Sequence, residues 1–519
     1  MRRRRRPATA QHVPTAFSWT CMQRLFQMQD RRQGQSPYPM VSMEEAWRTV
    51  QEVALALAER LQQAGPVLAN WDDAALQSGT AVLADAITAP WPVPRFDMAL
   101  KDGYAVRSQD LLSSRTLRCI GCQVAGQVTP KVDGLAAGTC RYITTGAPLP
   151  PGADAVVPVE QVQVLENETS GSAPKSSDEP FESFHILVAS GYSVPAGSEV
   201  RHQGDDVAFG QVVLERGQQL GAVERSVLCS FGVQRSIPLQ RVPRVAVLST
   251  GSELCDPSAS PSSLTAGSVY DSNRPLLLGL LRRYLPPSHI IDAGIASDEE
   301  VADNLAALLT NAQQDVLIIS GGVSMGLSDV VKPLLAQHGR IHFGRLRMKP
   351  GKPMTFASNL CSTKRPWLAF ALPGNPVSSS VCFALLVVPA IQLLKGVSIE
   401  RAYPRCIIGR LAHVVVPDAE RPEFQRAHLL APTCLRSFCR SSATSESFSC
   451  FARMTEVSLT SALDSKQAES YLPLFSITGN QSSTRLQSVV HADVLVYVPP
   501  GTEPLPAGTL VHAVLLDAN

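Results

Sequence analysis

The chain is 519 residues long, 45% hydrophobic and 18% charged, with a formal net charge of +1. That length calls for several domains, and the composition is ordinary for a globular protein. A charge so near zero excludes any global electrostatic argument for nucleic-acid or membrane binding.

Residues 1–35 depart from that average, with eight arginines (Arg2 to Arg6, Arg24, Arg31, Arg32) against a single acid, Asp30. Three readings stay open for this arm: an organelle-targeting segment, a basic nuclear or nucleic-acid arm, and a disordered extension. Five consecutive arginines lack the amphipathic spacing of a transit peptide, so residues 1–41 are left outside the fold. The first element is a helix over Met43 to Gln63. Ala46, Val50, Val53, Ala54, Leu57 and Leu61 recur near helical spacing, Ser42 is placed to cap it, and Gly65-Pro66 stops it.

Short strands and turns follow over residues 96–164, then a Ser-, Glu-, Gly- and Pro-rich linker, Asn167 to Ser183. Short strands resume from Ile186 to about Pro238. Between Arg244 and Leu394 strands and helices alternate. The runs are Val245 to Leu248, Asn273 to Tyr284, Glu299 to Asn311, Val316 to Ile319, Val330 to Gln337, Trp367 to Leu372 and Ser378 to Leu394. Such alternation predicts a doubly wound, mostly parallel sheet. After Pro404 the pattern is all-β, interrupted near 430–470 by a Ser-rich insertion. Cys382 to Leu394 is apolar, yet shorter than a membrane span and broken by Pro389. The twelve cysteines are scattered. Cys119-x-x-Cys122 lacks the second pair a zinc site needs, so the cysteines read as reduced thiols of an intracellular protein.

Three loops at strand ends carry the chemistry. The run Val316 to Ile319 empties into Ser320-Gly321-Gly322, the composition of a turn that lets backbone N–H groups approach an anion. Ser324 adds a hydroxyl, and Asp329, seven residues past Gly322, is suited to hold a metal against a phosphate. Next, Met348-Lys-Pro-Gly-Lys-Pro353 sets Lys349 and Lys352 about Gly351. Then Leu372-Pro-Gly-Asn-Pro-Val-Ser378 follows another apolar run and presents Pro373, Gly374, Asn375 and Ser378. Lys352 and Ser378 have the charge and hydroxyl that hold an oxyanion. Any one loop is equally well an ordinary strand-to-helix connection. No Walker A sequence occurs.

These loops join further anchors: Lys101-Asp-Gly-Tyr-Ala-Val106, Thr145 to Val157, Arg201-His-Gln-Gly-Asp205, Arg244 to Gly251, Asp271-Ser-Asn273, Arg421-Pro-Glu-Phe424 and Gly479 to Leu486. With them in this order, residues 43–519 resemble the molybdopterin molybdenumtransferases, the family of the bacterial molybdenum-insertion enzymes and the E domains of gephyrin and its plant counterpart. The resemblance implies a central molybdopterin-binding α/β domain (241–400). It also implies a split elongated domain (42–95 with 185–240), an inserted β domain (96–184) and a C-terminal β-barrel-like domain (401–519). It further implies a cytosolic homodimer whose active site is shared between subunits, with a molybdopterin adenylyltransferase upstream and no nucleic acid as partner.

The activity so implied is insertion of molybdate into adenylylated molybdopterin, with Mg²⁺-dependent hydrolysis to molybdenum cofactor and AMP. Under it Asp329 holds the metal, Gly321, Gly322 and Ser324 meet phosphate, and Lys352, Ser378, Arg421 or Arg426, and Ser482 or Ser483 meet molybdate. Asp97 and Asp102 are the implied carboxylates contributed in trans. Asp97 keeps a second reading as a turn cap, because the family's bacterial Asp-Asn-Ser-Ala-Met-Asp run is here Asp97-Met-Ala-Leu-Lys-Asp102. Thr144 sits in a turn that either touches ligand or ends a strand, and Asp298 either joins the site or caps the following helix. Adenylylation of molybdopterin and a receptor-clustering scaffold are the alternative functions. A single α/β block without a second one argues against the first.

Overall fold

The computed structural model describes residues 38–126, 134–165, 183–311, 313–323, 330–361, 365–430 and 472–516. The basic arm, the linker up to residue 182, the insertion at 431–471, Ser324 and Asp329 lie outside them. The chain forms two compact units, Gly65–Arg241 and the sequence on either side of it.

Helix α1 (Met43–Gln62) starts where its cap predicts, with the Ser42 hydroxyl accepting from Glu45 N–H at 3.1 Å. Its buried stripe is Ala46, Val50, Val53, Ala54 and Leu57. The sequence reading groups this helix with residues up to 95. Instead it packs in the unit of the α/β sheet, because its apolar stripe is covered there by a later helix.

In the Gly65–Arg241 unit, six strands form one sheet: β1 (Gly103–Val106), β2 (Thr116–Gln123), β3 (Thr139–Ile143), β4 (Ala155–Pro158), β5 (Val162–Leu165) and β6 (Phe184–Val188). Their order is β4-β1-β3-β2-β6-β5, antiparallel except for β2 beside β3. Short antiparallel pairs tie the flanking segments, as where Val67–Ala69 meets Ile237–Leu239.

The other unit is built on β7 (Val245–Thr250), α2 (Asn273–Leu281), β8 (Ile290–Ala296), α3 (Val301–Asn311), β9 (Val316–Ser320), α4 (Val331–His338), β10 (Arg340–Phe343), β11 (Thr355–Asn359), β12 (Trp367–Leu372) and α5 (Pro376–Leu394). The sheet order is β8-β7-β9-β12-β11-β10, with β8, β7, β9 and β12 parallel and the last two pairs antiparallel. Every residue of β7, β9 and β12 is buried, the signature of strands covered on both faces. On one face Ala246, Leu248, Leu317, Ile319, Ala369 and Ala371 pack under Leu305 of α3 and Leu335 of α4. Beyond the sheet, β13 (Cys406–Leu411), β14 (Glu423–Leu430), β15 (Leu474–Ile477), β16 (Val494–Val498) and β17 (Leu510–Leu515) close a barrel in the order β13-β15-β14-β16-β17.

Helix α5 is longer than its sequence suggests. Pro376 is tolerated in its first turn, and Pro389 is absorbed beside one π-helical turn, Phe383–Val387, where Val388 N–H reaches back to Phe383 O. A proline donates no N–H, so the carbonyl four residues earlier loses its usual partner. That carbonyl, Leu385 O, accepts the indole Nε1–H of Trp47 in α1 at 2.9 Å. Among the described residues α5 is the one helix long and apolar enough to cross a membrane, and it is almost wholly buried.

Just past α5, Lys395 is 1% exposed and donates to Gln392 Oε1 at 3.2 Å. Burial pushes its pKa from the ordinary 10.5 down to about 7. Between these values the unfolded chain binds more protons, so stability rises with pH across that window, and the cost of the buried charge is greatest at its lower end. Lys395→Met is therefore expected to stabilise the protein at pH 7, by on the order of a few kcal/mol. The gain should shrink as pH approaches 10.5. Urea unfolding of both proteins at the two pH values checks this.

Candidate active site at the carboxyl ends of the parallel strands

Parallel strands place their carboxyl ends side by side, and in open α/β sheets ligands bind there. Here the ends of β7, β9 and β12 open into a cavity of about 760 Å³. Its wall includes Thr250 and Gly251 after β7, Ser320 to Val323 after β9, and Pro373 to Pro376 after β12. Asp271 to Asn273 at the start of α2 complete it, with Glu253, Asp298 and Thr484 as further polar groups.

The paired glycines are required by geometry. Gly321 and Gly322 have φ of +95° and +64°. A Cβ on Gly321 would lie 2.4 Å from Thr250 O, and one on Gly322 2.7 Å from Val331 Cγ2. The close approach is thus to the end of β7 for Gly321 and to the first residue of α4 for Gly322. Thr250 also donates its hydroxyl to Ser320 O at 3.3 Å. The Gly321 N–H is spent on Leu372 O (3.1 Å), which corrects the expectation that it faces a phosphate. The Gly322 N–H has no partner among the described residues.

Asn273 ties two of the loops together. Its Nδ2 donates to Ser320 Oγ and to Gly374 O, both at 2.7 Å. Asp271 Oδ1 accepts the N–H groups of Asn273 and Arg274, each at 3.1 Å, and so caps α2. The Arg274 guanidinium then meets Asp271 (3.1 Å), Asp256 (2.6 Å) and Asp292 (2.6 Å). Burial opposes the charge of Arg274, but those three carboxylates together hold its pKa above the ordinary arginine value.

Of the residues singled out from the sequence, Ser320, Gly321, Gly322, Pro373, Gly374 and Asn375 line the cavity. Lys349, Gly351, Lys352, Ser378, Arg421 and Ser483 do not. Ser483 borders it, accepting from Asn375 Nδ2 at 3.0 Å, while its carbonyl accepts from Val377 N–H at 3.2 Å. Lys349 is held by Glu423 (2.5 Å) and Asp418 (3.4 Å), and the Glu423 hydrogen bond chiefly raises its pKa. Gly351 is a packing residue, since a Cβ there would meet Cys382 Sγ at 2.6 Å. Arg421 leans on Asp418 and Met348 O, each at 3.5 Å. Arg426, 1% exposed, donates to Ser488 Oγ (3.1 Å) and Ser482 O (3.3 Å), a buried brace within the barrel. By contrast Lys352 is exposed and has no ion pair among the described residues.

Asp298 does not cap α3. Ser297 and Glu300 form a capping box instead, with Ser297 Oγ accepting from Glu300 N–H (3.3 Å) and donating to Glu300 Oε2 (3.0 Å). That Ser-x-x-Glu signal is present in the sequence and leaves the Asp298 carboxylate to the cavity wall. Asn273, Glu253 and Thr484 have no role assigned from sequence. Asp271-Ser-Asn273 stands there only as an anchor of resemblance.

In the Gly65–Arg241 unit, Asp97 Oδ1 accepts Gln203 N–H (2.8 Å) and Oδ2 faces His202 Nδ1 (3.3 Å). The backbone bond is the larger cause of its lowered pKa. Asp102 Oδ1 accepts Thr145 N–H (2.6 Å) and the Thr145 hydroxyl (2.9 Å), which likewise lower its pKa. Thr144 Oγ1 accepts Ala125 N–H at 3.0 Å. All three residues therefore hold turns.

Three family descriptions match the chain in order. They are the MoeA N-terminal region (domains I and II) over residues 41–232, a probable molybdopterin binding domain over 246–393, and the MoeA C-terminal region (domain IV) over 468–516. The molybdopterin molybdenumtransferase of Haemophilus influenzae is 35% identical over 322 residues, 62% of this chain and 72% of that protein. The chain belongs to the molybdopterin molybdenumtransferase family. Gephyrin of Dictyostelium discoideum is 31% identical over 84% of the chain, and the molybdenum cofactor synthesis protein cinnamon of Drosophila melanogaster 34% identical over 93%. The chain spans 58% and 66% of those two relatives' lengths. The crystal structure of the molybdopterin biosynthesis MoeA protein of Pyrococcus horikoshii aligns over 92% of this chain and 99% of its own, at 25% identity and a TM-score of 0.64.

The glycine geometry gives a test. Gly321→Ala should destabilise the protein by several kcal/mol, because positive φ and backbone contact act together. Gly374→Ala places its Cβ 3.7 Å from Gly321 Cα, an ordinary contact, and should leave unfolding within about 1 kcal/mol of the parent. Thermal or urea unfolding of both variants decides it.

Proposed function

We propose that this chain inserts molybdate into adenylylated molybdopterin, cleaving the pyrophosphate link in a divalent-cation-dependent step and releasing molybdenum cofactor and AMP. The observation that carries this is the cavity itself. A chain of this family has its glycine turns and three carboxylates gathered at one set of strand ends inside the region matched as a probable molybdopterin binding domain.

Phosphoryl cleavage rests on positioned charge more than on covalent chemistry. The Gly322 N–H, without a partner among the described residues, is the proposed donor to a phosphate oxygen. Glu253 and Asp298 would repel a pyrophosphate directly, so their presence fits a cation lying between, and Mg²⁺ is commonly held by one or two carboxylates plus substrate phosphates. Described carboxylates, histidines and cysteines provide no set of three for a metal by themselves, and Asp329 is the proposed additional ligand. When bound, Mg²⁺ would supply neutralisation of the phosphate charge. Asp271 is committed to Arg274 and the α2 N-terminus, and it acts as a positioning residue.

Molybdate is a dianion outside the glycine turns, and Lys352 is its proposed cation, since Lys349 is already neutralised by Glu423 and Asp418. Asp97 and Asp102 are proposed to act across a homodimer, Asp102 with the oxygen its own turn leaves over, Asp97 by releasing the His202 imidazole from its Oδ2. A molybdopterin adenylyltransferase would supply the substrate.

Purified protein given adenylylated molybdopterin, Mg²⁺ and molybdate should release AMP in a molybdate-stimulated manner together with active cofactor. ATP-dependent formation of the adenylylated species, with no such release, would assign the adenylyltransferase reaction instead. Asp329→Ala should lower AMP release by about 100-fold or more while leaving the unfolding temperature unchanged. Lys352→Ala should weaken the molybdate dependence more than AMP binding, and equal losses in both would contradict a separate anion site.

A further inference from the structure

Asn273 has a group left unused. Gly374 O can only accept a hydrogen bond, so the contact at 2.7 Å fixes which end of the Asn273 amide is nitrogen. The second contact of Nδ2, with Ser320 Oγ, agrees. Oδ1 must then point the other way. It is buried and has no hydrogen-bond partner among the described residues, in a residue only 8% exposed that lines the cavity. A buried carbonyl oxygen without a partner is costly and uncommon.

The side chain cannot swing away to relieve it. Asp271 holds the backbone N–H groups of Asn273 and Arg274, and Arg274 is itself fixed by three carboxylates. The oxygen is therefore preorganised to accept from a donor that enters the cavity. Phosphate oxygens accept, so the pyrophosphate that the glycine turns would hold cannot satisfy it. Ser320, one bond partner of Asn273, is the residue directly before Gly321-Gly322, so the oxygen sits beside the phosphate cradle. On a nucleotide the donors next to the phosphate are the sugar hydroxyls, whereas the amino group of the base lies a full ring system further out.

We propose that Asn273 reads the sugar of the bound nucleotide, its Oδ1 accepting a hydrogen bond from a ribose hydroxyl. This rests on the nucleotide-linked substrate proposed above and adds to it a specificity for ribose over deoxyribose. The two halves of the amide divide the work. Nδ2 sets the spacing of the loops after β9 and β12, and Oδ1 tests what enters between them. A site built to bond a hydroxyl rejects the analogue lacking it, because its own polar group is then left buried and unpaired.

The test is equilibrium binding of AMP, 2′-deoxy-AMP, 3′-deoxy-AMP and the purine ribonucleotide lacking the 6-amino group, by calorimetry, in Mg²⁺ and again in EDTA. For the native chain we expect one deoxy analogue to bind about tenfold or more weakly than AMP, in both buffers, and the des-amino analogue to match AMP. Asn273→Ala should bind AMP and that deoxy analogue equally. Equal binding of all four probes by the native chain overturns the proposal. So does a loss confined to the des-amino analogue, a preference seen only with Mg²⁺ (which would make Oδ1 a cation ligand), or discrimination retained in Asn273→Ala. The native-chain series decides the matter even where the variant does not fold. Absence of AMP binding by the folded native chain would overturn the nucleotide reading and this one with it.

Discussion

Thr250 and Gly321 meet where two parallel strands end, and there is no room between them for a side chain. The Thr250 carbonyl stands 2.4 Å from where a Gly321 Cβ would be, and the Thr250 hydroxyl reaches across to Ser320 O. A parallel sheet brings its strand ends together, but the chain must then leave at a sharp angle without leaving N–H groups buried and unpaired. Positive φ at Gly321 and Gly322 makes that exit, and Leu372 O on the next strand accepts the Gly321 N–H. The floor of the cavity and the position of Ser320 follow from this junction.

Charge is arranged around the junction in layers. Arg274 gathers three aspartates, so the N-terminus of α2 carries a fixed, partly buried ionic knot rather than a set of mobile side chains. Within it Asp271 is the buried carboxylate, 2% exposed, and its loss would remove the partner that holds Arg274 on the side away from water. The knot keeps Asp271 on the backbone of Asn273, and Asn273 in turn bridges the loops. A salt-bridge cluster away from the glycine turns thus sets the geometry of a neutral amide beside them.

Much of the α/β unit was legible in the sequence because its strands are continuous apolar runs and α1 carries a clear cap. Ser42 before α1 and the apolar runs at Val245, Val316 and Trp367 are local signals. What was not legible depends on distant contact. Nothing in the Met43–Gln62 pattern tells which surface covers its apolar stripe, so its place beside α5 came only from the structure. Gly321 was read as an anion donor, whereas its N–H belongs to Leu372, 51 positions along. Lys349 and Gly351 were read as ligands from their loop, while their actual neighbours, Glu423 and Cys382, lie in a strand and a helix far away in sequence. Asp298 was the reverse case, where the competing Ser297–Glu300 box was available locally and outweighs it.

The indole of Trp47 has a bearing on how the molecule comes into being. Its acceptor, Leu385 O, lies 338 residues later, and that carbonyl lacks an ordinary donor because Pro389 follows it. At ribosomal speeds of about 5–20 residues per second, α1 therefore waits on the order of tens of seconds for the surface that buries it. Throughout that interval its stripe of Val50, Val53 and Leu57 faces solvent or borrowed cover, while the whole of Gly65–Arg241 has emerged and has its own core to form. The earliest segment of the α/β unit is thus among the last to be secured, and nascent chains of this protein carry an uncovered amphipathic helix for most of their synthesis.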